Sequence, residues 1–121
     1  MNVIEIPFNK FIGLQKANPD DDFILQLEER EEYVNHLGTI HASALFALAE
    51  ATSGEFLLNK FKDFKLNIIP VVRKVEIKYS KHGNGKVFSK ADFIDTNTNK
   101  VIDELNNKKR IIIKVKVDIF N

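Results

Sequence analysis

Hydrophobic and polar residues alternate with two different periods along this chain, and each change of period marks an element. Phe8, Phe11 and Ile12 recur at helical spacing behind Pro7, which suits a first turn, so a short amphipathic helix is predicted within residues 7–17. Asn18-Pro19-Asp20-Asp21-Asp22 breaks the pattern. Phe23, Leu25 and Leu27 then alternate with Ile24, Gln26 and Glu28, the period of a strand with one mostly wet face. The acidic run Glu28-Glu29-Arg30-Glu31-Glu32 reads as a solvated turn rather than a metal site, and Tyr33 and Val34 as a short second strand.

Between Ile40 and Gly54 the chain is almost wholly small or apolar, and His41 and Glu50 are its only titratable side chains. A helix is predicted to begin between Thr39 and Ala42 and to run past Gly54. Phe56, Leu57 and Phe61 continue one face, Lys60 and Lys62 suit its C-terminal turn, and Asn67 and Pro70 close the region. A helix apolar around most of its circumference belongs inside a protein, and alanines let neighbouring backbone come close. Glu50 is the exception, because a carboxylate in such surroundings is costly unless it is paired, protonated or hydrated. It is therefore expected to be buried and functional; the plainer reading is a structural hydrogen bond or a wet helix edge.

Val71, Val75, Ile77 and Tyr79 share one face of a further strand, against Val72, Lys74, Glu76, Lys78 and Ser80, with Arg73 interrupting the apolar face. His82-Gly83-Asn84-Gly85 is a turn, and Val87, Ala91 and Phe93 mark the return strand of a hairpin. Thr96-Asn97-Thr98-Asn99 forms a loop, and Val101, Ile102 and Leu105 a short surface helix. Ile111, Ile113, Val115, Val117 and Ile119, set against Lys114, Lys116 and Asp118, define the last strand. The predicted fold is one α+β domain over residues 1–121, an antiparallel sheet wrapped around a long central helix, preceded by a short N-terminal helix.

A formal net charge of +1, from 18 basic and 17 acidic residues in 121, gives no basic surplus for nucleic acid or an anionic membrane. The chain has no cysteine, which excludes disulfides, thiolate nucleophiles and cysteine metal sites. The start at Met1 lacks the basic and apolar regions of a signal peptide, and no apolar run reaches the ~20 residues that span a bilayer, so a cytoplasmic location is expected. His36, His41 and His82 lack convincing ligand spacing, and no metal is expected, with a His36–His41 pair as the one alternative.

Asn35, Gly38, His41 and Glu50 stand in the pattern Asn-x-x-Gly-x-x-His-small-small, with an acid nine residues after the histidine. The pattern resembles that of the hotdog-fold acyl-CoA thioesterases of the phenylacetate-degradation type, where it reads Asn-x-x-Gly-x-x-His-Gly-Gly and then Leu-Ala-Asp. Leu48-Ala49-Glu50 takes the latter place here, and the element order fits that fold over most of the chain. Three departures stand out: Ala42-Ser43 replaces the glycine pair, Glu50 is one methylene longer than aspartate, and the chain stops at Asn121, where the family adds a strand. A sheet without that strand leaves an open edge for a dimer or an earlier segment to cover.

The resemblance implies hydrolysis of an acyl-CoA substrate, without a further cofactor, by a homodimer or a dimer of dimers. Glu50 would be general base or nucleophile, with a pKa raised by its apolar setting. The backbone N–H groups at Ala42 and Ser43 would face the developing oxyanion at the helix start. Asn35 would orient the carbonyl or the water, or else serve only as a turn residue before Gly38; His41 would be catalytic or merely a cap. Arg73, Lys81, Gly83 and Lys86 are the best candidates for the coenzyme phosphates. Nine residues along a helix turn a side chain by about 900° and advance it by ~13.5 Å, so His41 and Glu50 of one chain cannot meet and a shared site must combine two subunits. Three alternatives stand beside this: a non-catalytic hotdog protein that binds an acyl thioester or a fatty acyl chain, favoured by the crowded Ala42-Ser43 pair and the short C-terminus, a purely structural dimerisation module, and a hydroxyacyl-thioester dehydratase using His36 and Glu50. A monomeric protein, or a Glu50 far from any crevice with its oxygens in bulk solvent, would remove the hydrolase reading.

Overall fold

The computed structural model of the chain describes residues 1–64 and 68–121; Asn67, predicted to help close the central helix, lies outside them. A 3-10 turn at Val3–Glu5 leads into helix α1 (Pro7–Phe11), with proline in its first turn as expected. Of the predicted apolar face only Ile12, just past α1, packs against the core, while Phe8 and Phe11 are 62% and 83% exposed. Asn9 turns in instead, its Nδ2 donating to the Val3 carbonyl at 3.0 Å. Five residues make too little helix to carry a stripe, and Gly13 ends the excursion with φ +78° where a Cβ would collide with the Arg30 guanidinium.

Four strands form one antiparallel sheet in chain order: β1 (Gln15–Lys16), β2 (Leu25–Leu27), β3 (Val87–Phe93) and β4 (Val115–Phe120). Gln26 of β2 stands between Gln15 and Phe88, and β3 pairs with β4 from Phe88↔Phe120 to Phe93↔Val115. The alternation predicted for β2 and β4 appears as alternating burial. Tyr33 and Val34 do not form the second strand predicted for them: a 3-10 turn takes Glu31–Tyr33, and Val34 makes a single bridge to Ile40.

The larger departure concerns residues 71–80. This stretch runs without bend or turn, exposed along its whole length, and among the described residues it makes no backbone hydrogen bond. The predicted hairpin is not formed because both edges of its return strand β3 are taken, one by β2 and the other by β4. Gly85, with φ +71°, still turns the chain into β3.

Helix α2 (Ala42–Phe61) crosses the sheet and passes through Gly54 as predicted, with Lys60 in its last turn. It buries one face, not its whole circumference: Leu48, Ala51, Thr52, Glu55 and Phe56 point inward, whereas Phe46 and Glu50 are exposed. Leu48 and Ala51 pack with Leu25, Leu27 and Val87, and with Val3, Leu14, Tyr33 and Ile40 from the flanking segments. Burying each large aliphatic side chain contributes about 1.5–3 kcal/mol, which makes this cluster the main source of cohesion. Ser89 and Thr52, both wholly buried, join helix to sheet: their hydroxyls lie 2.6 Å apart, Thr52 Oγ1 also reaches the Leu48 carbonyl, and Ser89 Oγ accepts from the Leu25 N–H.

Helix α3 (Thr98–Lys108) follows β3 where a surface helix was predicted, capped by Asn97 Oδ1 on the Lys100 N–H, with Val101 buried. On the sheet face away from Ser89, Phe23 stacks on Phe88 and tilts against Phe120, and the Lys90 ammonium lies over Phe23 and Phe120. The architecture is thus α+β, a long helix on a four-stranded antiparallel sheet, compatible with a hotdog fold. Among the described residues no helix is long and apolar enough to cross a membrane.

Candidate functional site

The loop before α2 is organised by Asn35. Its Oδ1 accepts from the backbone N–H of Leu37 and Thr39 at 2.9 and 3.0 Å, and its Nδ2 donates to Thr39 Oγ1 at 2.9 Å. Gly38 takes φ +78°, which a side chain would strain, and donates its N–H to the Asn35 carbonyl. The Asn-x-x-Gly spacing therefore builds a closed turn, and the amide predicted to orient a substrate is engaged within that turn.

His41 is the N-cap of α2, its Nδ1 accepting from the Ser43 N–H at 2.9 Å. That bond takes one of the two N–H groups predicted to face an oxyanion. The N–H of Ala42 has no acceptor among the described residues. Ala44 and Leu45 donate to the His41 carbonyl, so the helix opens with a single unengaged donor at Ala42, on an exposed residue.

Residues 82–85 lie against this loop; the chain bends at Lys81 and Gly85 and does not close the hydrogen-bonded turn predicted there. Gly83 accepts from the Ile40 N–H at 2.9 Å, and a cleft of about 70 Å³ runs between Gly38, Thr39 and Ile40 on one side and Asn84 and Gly85 on the other. Tyr33 forms part of its wall, and burial pushes the Tyr33 phenol up from its usual value, an effect that the Arg30 guanidinium opposes and Glu32 reinforces. Its hydroxyl donates to the Ile12 carbonyl. Lys86, next to Gly85, pairs with Glu28 at 3.1 Å and lies over the Phe88 ring. Arg73 and Lys81 are exposed, as are His36 and His82.

Glu50 is not where the sequence argument put it. It is exposed and borders neither this cleft nor a larger one of about 580 Å³ between Ile24, Phe56, Asn59 and the β3–β4 side chains Lys90, Asp92 and Lys116. Alanines surround Glu50 in sequence, but they are shared between two faces of α2, and it stands on the outer one. The buried acid of α2 is Glu55, 7% exposed, with Asn59 Nδ2 at 3.3 Å and Lys16 Nζ at 3.9 Å. Its spacing from Leu48 and Thr52 was the signal that could have found it.

Tyr79 was also overlooked. Its hydroxyl donates to the Ala42 carbonyl at 3.3 Å and ties residues 71–80 to the first turn of α2. No sequence spacing marks that meeting. Among the described residues, no group of three or more His, Asp or Glu side chains is placed to hold a metal. The structure thus brings Asn35, Gly38, His41, Ala42, Ser43 and Gly83 to one end of α2, and keeps Glu50 apart on its outer face.

A long helix on an antiparallel sheet, with a closed Asn–Gly turn at the helix start, defines the class of domain. The family described as "Domain of unknown function (DUF4442)" matches residues 6–119, and the chain belongs to it. No curated protein and no solved structure matches the chain.

Proposed function

We propose that this chain is a hotdog acyl-CoA thioesterase whose site is shared between two copies. The observation that carries the reading is the open N–H of Ala42 at the start of α2, two residues after Ile40, whose own N–H is held by the Gly83 carbonyl. A donor at a helix N-terminus stabilises the negative charge that a thioester carbonyl oxygen acquires on attack. Water adds to the carbonyl carbon while a carboxylate takes its proton; the C–S bond then breaks, and that proton passes to the departing thiolate. Glu50 is assigned the carboxylate, acting on substrate held at the other copy's α2 start. Its exposure removes the argument from burial within one chain, but an acid on the outer face of the helix is available to a second copy. Lys86, Lys81 and Arg73 are the cations assigned to the coenzyme phosphates.

The same exposure favours a second reading, a non-catalytic protein that binds acyl thioesters at the α2 start. The two are separated by following free thiol release from a panel of acyl-CoA substrates with the parent and with Glu50→Gln. Hydrolysis predicts turnover that falls by about 10²-fold or more on substitution, the range for a lost general base. Binding alone predicts no turnover and a raised melting temperature with acyl-CoA. Turnover that is the same in both proteins would remove Glu50 from the reaction. Conversion of a 3-hydroxyacyl thioester to an enoyl product without thiol release would favour the dehydratase.

A further inference from the structure

The cleft of about 580 Å³ lies toward the C-terminal end of α2 and exists because β2 is short. The run Asn18-Pro19-Asp20-Asp21-Asp22 does not extend a ladder, so β2 holds only Leu25–Leu27, opposite Val87 and Phe88. Beyond Ser89, whose carbonyl still accepts from the Ile24 N–H, no strand lies on that side of β3, which runs on to Phe93. The gap left between this edge and α2 is walled by Ile24, Phe56 and Ala91, with Asn59 and Lys60 on the helix side. Phe56 is fixed in place, its ring edge-on to Phe93 with the centroids 4.9 Å apart. At about 1.5 Å per residue it stands about 21 Å along the helix axis from Ala42. We propose that this cleft binds an organic monocarboxylate with an apolar body.

The volume falls within the range of about 300–1,000 Å³ that holds small molecules, and apolar walls with a few polar groups are what such sites use. The charges around the cleft narrow the ligand. Lys90 pairs with Asp22 at 3.1 Å and Lys116 with Asp118 at 3.6 Å. Asp92 turns its Oδ1 onto the Phe93 N–H at 2.8 Å. That leaves Lys60 as the lining cation with no carboxylate partner among the described residues, its ammonium 5.5 Å from the centre of the Phe56 ring. A lone ammonium beside an apolar wall suits an anionic head joined to an apolar tail. The Asn59 amide, which donates to Glu55 at 3.3 Å, has a second N–H for that head. Three aspartates on the same rim disfavour a doubly charged head, which selects a carboxylate over a phosphate monoester.

The proposal stands on the cleft alone and is independent of the thioesterase reading. Octanoate, titrated into the full chain with backbone amide shifts followed by nuclear magnetic resonance, tests it. Saturable shifts at Ile24, Lys60 and Ala91 are expected at millimolar concentration. Lys60 is exposed, so Lys60→Met is expected to melt with the parent, and to raise the dissociation constant for octanoate about tenfold or more. Lys60→Arg, which keeps the charge, is expected to retain binding. Octan-1-ol, with the same chain and no charge, and octyl phosphate, with a second charge, are each expected to bind more weakly than octanoate. The absence of a saturable shift, shifts confined to the start of α2, or an unchanged dissociation constant in Lys60→Met would each overturn the proposal. So would octan-1-ol or octyl phosphate binding as tightly as octanoate.

Discussion

Ser89 acts on three partners at once. Its hydroxyl accepts from the Leu25 N–H, faces the Leu25 carbonyl and meets Thr52 across the helix–sheet boundary, all in a region closed to water. Removing that oxygen strands a buried N–H, a loss of about 1–3 kcal/mol. Ser89→Ala is therefore expected to lower the unfolding free energy, read by urea titration, by that amount, and adding Thr52→Val to cost less than the sum of the two, because one network is lost in either case. Tyr33 supplies a pH dependence. Its folded phenol holds its proton to a higher pH than an ordinary tyrosine, chiefly through burial, so the unfolded chain ionises first. Stability is then fully present below pH 10 and declines as the pH rises through the folded value. The alkaline arm of a stability–pH curve should flatten in Tyr33→Phe. At this scale the sequence disclosed which side chains gather at the α2 start but not what they touch. Asn35 and His41 hold loop and helix N–H groups, and such bonds depend on loop torsions that no spacing records. Glu50 was misjudged because alanine is equally at home on either face of a helix. Two residues on from the buried Leu48 is about 200° around the axis, which turns the acid outward.

Among the elements, α3 carries an identifiable fault. Lys109 closes it at φ 62°, donating to the Leu105 carbonyl from a left-handed conformation that a side chain disfavours by about 1 kcal/mol. Lys109→Gly is expected to raise the thermal midpoint by a few degrees, read by calorimetry, since about 1 kcal/mol shifts a domain of this size by roughly 4 °C or less. The helix itself was legible because Val101, Ile102 and Leu105 form a stripe within one local window. β4 was legible for the same reason at period two. The segment at 71–80 shows the other side of that lesson. Its period is as clear as that of β4, yet a strand is completed by a partner, and nothing local says whether the partner lies in the same chain. β2 and β4 hold both sides of β3, a fact of topology that alternation does not encode.

For the whole molecule, helix–sheet packing and assembly are separate matters. The cluster around Leu25, Leu27, Leu48 and Val87 closes within one chain, whereas Glu50 and residues 71–80 face outward. Amide hydrogen exchange should report the separation. The amides of 71–80 are expected to exchange near the open-chain rate, and those around Leu25, Leu48 and Val87 to be slowed by about 10²-fold or more. The α+β class and the central helix followed from periodicity; which strand edges are covered, and by what, lies beyond what that pattern can specify.

With no tryptophan and only two tyrosines, the chain is fitted with two intrinsic optical reporters in different settings. Tyr33 lies in the interior and Tyr79 on the uncovered segment. Ultraviolet emission from Tyr79→Phe would report the interior alone, while that from Tyr33→Phe would report the exposed segment alone, so two regions of the bare protein can be watched separately without an added dye.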